Sequence, residues 1–82
     1  MALAKWIKFS EMPQTGKTKR FAIYPKDQAL AIGHVLWYGA WRKFCFFPNE
    51  RTVYEEQCLR DIAEFCEQQT ADYKQSKIKE TL

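Results

Sequence analysis

The run Trp37-Tyr38-Gly39-Ala40-Trp41-Arg42-Lys43-Phe44-Cys45-Phe46-Phe47-Pro48 crowds aromatic rings around a Gly-containing turn and two adjacent cations. In a chain of 82 residues this run constrains the fold more than any other. A domain so short buries a modest fraction of its surface, so its core must be dense in large side chains. Aromatic residues meet that need because they bring large buried area at low conformational-entropy cost. They make up 16% of the chain, and charged residues 28%, a balance that argues for a folded domain over global disorder.

The periodicities around this run define the elements. Lys5-Trp6-Ile7-Lys8-Phe9 reads as a strand, and Glu11 to Gly16 carries turn chemistry through Pro13 and Gly16. Lys19 to Tyr24 alternates charged and apolar positions at the period of a second strand. Leu30 to Tyr38 and Trp41 to Phe47 give a third and a fourth, joined by Gly39-Ala40 as a two-residue type II′ turn with positive φ at Gly39. In that register Tyr38 opposes Trp41, Trp37 opposes Arg42, His34 opposes Cys45 and Gly33 opposes Phe46. Val35, Trp37, Phe44 and Phe46 then face the core; His34, Tyr38, Trp41, Lys43, Cys45 and Phe47 face away. Gly33, in mid-strand, leaves room for the Phe46 ring to lie across the backbone.

Pro48 ends the strands, and the period changes. Thr52-Val53-Tyr54-Glu55 reads as a capping box opening a helix on which Cys58, Leu59, Ile62, Phe65 and Cys66 recur at helical spacing. The pattern fades past Tyr73, which places one domain over residues 1–75 and a frayed tail over 76–82. The expected fold is α+β: an antiparallel sheet of three to four strands packed against one long C-terminal helix, in the order ββββα.

Charge is unevenly divided. Residues 1–51 carry nine Lys or Arg against three Asp or Glu, giving +6, and residues 52–82 carry four against seven, giving −3. If these halves form opposite faces, one attracts anions and the other repels them. No apolar run is long enough for a membrane span, and the N-terminus lacks the apolar core of a signal peptide, so the expected compartment is the cytoplasm.

The chemistry available for catalysis is sparse. Cys45, Cys58 and Cys66 are odd in number and have no C-x-x-C spacing, and a single His34 accompanies them. Neither a disulfide framework nor a metal site follows, and no cofactor is expected. Gly16-Lys17-Thr18 resembles the end of a P-loop without its upstream glycine. His34 beside Cys45 lacks the orienting group and oxyanion hole of a nucleophile pair. Asp61 and Glu64 have the spacing of a solvated helix face. The chain is expected not to be an enzyme. The sharper expectation is a binding surface on the sheet, with Arg20, Tyr38, Trp41, Arg42 and Lys43 as candidate nucleic-acid contacts: cations for phosphates and rings for bases, sugar or backbone. Arg42 would stack on Trp37 in the expected register. DNA is expected ahead of RNA, a host protein is the alternative partner, and exposed Trp41 and Phe47 would offer a face on which two copies could pair.

The stretches Ile32-Gly33-His34-Val35-Leu36-Trp37, Trp41 to Pro48, and Thr52 to Phe65 resemble a family of small uncharacterised proteins of bacteriophages and prophages. The shared pattern is L-G-x-[VI]-x-W, then W-R-x-[YF]-x-F-x-P, then T-V-[FY]-x-x-x-C-L-x-[DE]-I-x-x-F. The resemblance runs from about Lys5 to Tyr73, with Ile32 in place of the usual Leu and His34 where a charged residue is common. It implies a phage-type accessory protein and assigns no activity. The expected topology is also similar to the arm-type DNA-binding domains of phage integrases, which dock the sheet face on DNA. That likeness alone does not establish function.

Overall fold

The computed structural model describes residues 6–14 and 16–81, with helix side chains as far as Lys77. Four strands, β1 (Ile7–Met12), β2 (Arg20–Pro25), β3 (Gly33–Tyr38) and β4 (Lys43–Pro48), precede one helix, α1 (Glu56–Thr81). The strands form one antiparallel sheet, as expected from the alternating pattern, and lie in it in the order β1-β2-β3-β4. β1 begins and ends later than the sequence suggests, and β3 starts only at Gly33. Lys5 lies outside the described residues.

One face of the sheet is covered by the helix. Ile7, Phe21, Ile23, Val35 and Phe44 from the strands and Cys58 and Ile62 from α1 form the buried cluster. Phe65 stacks on Phe9, with centroids 3.9 Å apart, and meets Phe21 edge-on at 4.8 Å. Further along, Tyr73 packs on Trp37 at 4.5 Å and on Phe44 at 6.5 Å. Each fully buried aromatic contributes about 1.5–3 kcal/mol, so a few rings supply much of the cohesion of so small a domain.

The β3–β4 hairpin differs from its expected form. The connection is four residues long, Gly39 to Arg42, and the amides of Trp41 and Arg42 both donate to the Tyr38 carbonyl, at 3.2 and 2.9 Å. Gly39 has an ordinary φ; Arg42 takes the left-handed one, at 55°. Val35 therefore pairs with Phe46, Trp37 with Phe44, His34 with Phe47 and Leu36 with Cys45. Because the pairing moves by two positions, an even number, each side chain keeps its face. The expected core face survives while the contacts across it change. Trp37 meets Phe44 edge-on at 5.5 Å as its direct cross-strand partner.

The helix also starts later than the expected capping box. Tyr54 is drawn to the sheet: its hydroxyl donates to the Ile32 carbonyl and its ring meets Phe46 edge-on at 5.0 Å. Residues 52–55 therefore stay non-helical, following Arg51 at φ 59°. Thr52 donates its hydroxyl to the Asn49 carbonyl at 2.7 Å, and Glu55 takes the capping role, accepting from the Cys58 amide at 2.5 Å. At Gly33 the expectation holds: an added Cβ would lie 2.6 Å from Phe46 Cε1.

Candidate functional site

With α1 on one side, the alternation of each strand aims the other set of side chains outward. β1 contributes Lys8, Ser10 and Met12; β2 contributes Arg20, Ala22 and Tyr24; β3 contributes His34, Leu36 and Tyr38; β4 contributes Lys43, Cys45 and Phe47. None of these positions is Asp or Glu. The cations Lys8, Arg20 and Lys43 share the face with His34 and three aromatic rings. Most acidic residues of the C-terminal half lie on α1, behind the sheet, with Glu55 just before it. Of the N-terminal cations, Lys8, Arg20 and Lys43 take the outer face while Lys17 and Lys19 border α1, so the +6/−3 division of the sequence is only partly a division between faces. A Debye length of about 8–10 Å screens much of the helix's charge from the outer face.

The outer side chains form a layer of their own. Ala22, on the outward parity of β2, is nonetheless buried, at 3% exposure. Lys8 rests its ammonium 5.9 Å from the centre of the Tyr24 ring. At the hairpin end, Phe47, Tyr38 and Trp41 make a continuous series: Phe47 to Tyr38 at 6.1 Å and Tyr38 to Trp41 at 5.0 Å, both edge-on. Trp41 is 69% exposed, a large ring left in solvent.

The structure gathers Tyr38, Trp41, Arg42 and Lys43 at one end of the hairpin. Tyr38 and Lys43 are register partners, and Trp41 and Arg42 sit in the connection between them. Arg20 stands on β2 opposite Met12, on the same face but apart from that group. The expected opposition of Arg42 to Trp37 does not occur, because the longer connection takes Arg42 out of the strand and gives Trp37 to Phe44 and Tyr73. The Cys45–His34 pairing fails for the same reason. Lys8 and Tyr24 belong to the face yet were not among the sequence candidates. The alternation of Ile7, Lys8 and Phe9 is the signal that places Lys8 there.

Elsewhere the chemistry is quiet. Asp61 is not on a solvated helix face: it is 8% exposed, its Oδ1 accepts from Gln57 Nε2 at 2.9 Å, and its Oδ2 has no hydrogen-bond partner among the described residues. Glu64 is exposed, as expected. Burial pushes the Cys66 thiol up to about 11, with the neighbouring Cys45 thiol adding to the shift, and burial also raises Cys58. Neither thiol is poised as a nucleophile. Gly16-Lys17-Thr18 lies in the β1–β2 connection, not before a helix. Lys17 and Thr18 instead border a cleft of about 500 Å³ between that connection and α1, floored by Phe44 and Tyr73.

The fold and site thus define a small α+β domain with an open, cationic and aromatic sheet face. The chain is similar to an uncharacterised 9.3 kDa protein of Acholeplasma phage L2, at 26% identity over 72 residues that cover 87% of this chain and 92% of the phage protein. No family model matches it, and no solved structure does. No helix among the described residues is long and apolar enough to cross a membrane.

Proposed function

We propose that this chain is a non-catalytic, phage-type accessory protein that binds nucleic acid, DNA in the first place, on the outer face of its sheet. The observation that carries the reading is the composition of that face: Lys8, Arg20, Lys43, exposed rings and no carboxylate on any outward strand position. Phosphate contacts by Lys and Arg supply affinity with little sequence information, and rings add contact to bases or sugars. Such a role belongs in the host cytoplasm, where nucleic acid is available.

The test is fluorescence anisotropy of labelled DNA and RNA at two salt concentrations. If Lys8, Arg20, Arg42 and Lys43 each neutralise one phosphate, affinity falls roughly fifty- to 150-fold between about 50 and 200 mM salt. Lys43→Glu weakens binding and flattens the salt dependence. Salt-insensitive or undetectable binding contradicts the proposal.

A second reading, docking on a host protein, is favoured by a different end of the molecule. Leu30 is 80% exposed and Val53 92%, on two connections stitched together by Asn49, whose side-chain amide donates to the Ala31 carbonyl at 2.9 Å. Under that reading, Val53→Asp abolishes capture of a defined host protein and leaves nucleic-acid affinity unchanged.

A further inference from the structure

The hairpin end of the outer face carries a more specific assignment, which rests on the nucleic-acid reading above. We infer that its substrate class is single-stranded nucleic acid, held with adjacent bases splayed apart over Trp41 and Tyr38.

The argument begins with ring geometry. Trp41 projects in a four-residue connection beyond the last strand pair, Tyr38 with Lys43, and is 69% exposed. Its plane stands at 83° to that of Tyr38, and Tyr38 stands at 68° to Phe47. Consecutive rings are turned nearly perpendicular. A base lying flat on Trp41 and a second lying flat on Tyr38 therefore cannot stack on each other. Duplex bases are parallel, paired and closed to side-chain rings, so a duplex would leave these rings against sugar and phosphate with no π-face to meet. A single strand presents every base face and rotates freely between nucleotides.

The cations are placed to serve the same strand. Lys43 pairs with Tyr38 across the hairpin, and Arg42 follows Trp41 in sequence, so each ring has a cation beside it for the adjoining phosphate. Arg42 also holds a left-handed backbone at φ 55°, where glycine would be at ease. Keeping an arginine there retains the cation beside Trp41 at a conformational cost, and such local strain concentrates at working sites.

The experiment titrates the intact chain into three labelled probes of equal length at about 100 mM salt: oligothymidylate, oligouridylate and a mixed-sequence DNA duplex. Trp41→Ala and Trp41→Phe are titrated in parallel, their folding checked by circular dichroism. Single strands are expected to bind at least about tenfold tighter than the duplex. Trp41→Ala should weaken single-strand binding roughly five- to 150-fold with the salt dependence unchanged, and Trp41→Phe should recover part of the loss. Duplex affinity should move less than about twofold, since no base reaches the ring. The stronger of the two single-stranded probes identifies the source as DNA or RNA. Equal or tighter duplex binding, or a harmless Trp41→Ala, overturns the single-strand assignment and leaves the broader reading standing. Binding to none of the probes overturns both.

Discussion

The backbone amide of Phe44, on the outer strand β4, donates to the hydroxyl of Thr70 in α1 at 3.0 Å. The same hydroxyl donates to the Cys66 carbonyl at 2.9 Å, so one side chain joins helix to sheet and occupies an edge amide that would otherwise be open to pairing. Thr70→Val keeps the shape and leaves the Phe44 amide without its acceptor. The expected loss is about 1–3 kcal/mol of unfolding free energy in a urea titration, with Thr70→Ser retaining most of it.

Gly33 is a site of close approach. A Cβ there would lie 2.6 Å from Phe46 Cε1 and 3.1 Å from both the Phe47 carbonyl oxygen and the Tyr54 hydroxyl. The Phe46 ring can swing, but the Phe47 backbone cannot without disturbing the β3–β4 pairing. Gly33→Ala is therefore expected to destabilise by about 1–3 kcal/mol, read from the midpoint of chemical unfolding.

Arg42 sets stability against function. Glycine at this left-handed position should raise stability by about 1–2 kcal/mol, because an L side chain there crowds its own backbone. The same Arg42→Gly change removes a cation beside Trp41 and should weaken oligonucleotide binding. A thermal melt and a binding titration on one sample check both directions. Improved stability with undiminished affinity would remove Arg42 from the interface.

The cap of α1 gives the fold a pH dependence. The hydrogen bond from the Cys58 amide holds the Glu55 carboxyl below its ordinary 4.5. A carboxyl depressed in the folded state contributes stability that is present above its unfolded value and lost as pH falls through the folded one. Glu55→Ala is expected to lower the melting temperature at pH 7, and its deficit relative to wild type should shrink as pH drops below about 4.5. A deficit that stays constant down to strongly acidic pH would show that the carboxylate is not the cap.

Much of this architecture was legible from period alone. Alternation at Lys19 to Tyr24 and the apolar spacing from Cys58 to Phe65 specify sheet and helix, and the inward set Val35, Trp37, Phe44 and Phe46 holds because face depends only on parity. Pairing was not legible, since Gly39 advertises a tight turn while the left-handed residue is an arginine, against local preference. The Thr52 cap was misleading for a tertiary reason: Tyr54 reaches Ile32 and Phe46, and that contact delays the helix. Of the candidate site, the hairpin residues Tyr38 to Lys43 are brought together as their sequence proximity suggests. Lys8 and Tyr24 take that face by the same parity, and what local sequence does not fix is the β1–β2 register that sets them opposite each other.

The most direct test is to map which backbone amides move in a two-dimensional nitrogen–proton NMR spectrum when oligothymidylate is added to the isotopically labelled chain. Binding on the outer sheet face should shift Lys8, Arg20, Tyr38 to Lys43 and Phe47, leaving Leu59 to Glu67 on the helix side unmoved. Shifts confined to the cleft between Lys17 and Tyr73, or to the Leu30 and Val53 end, would contradict the account.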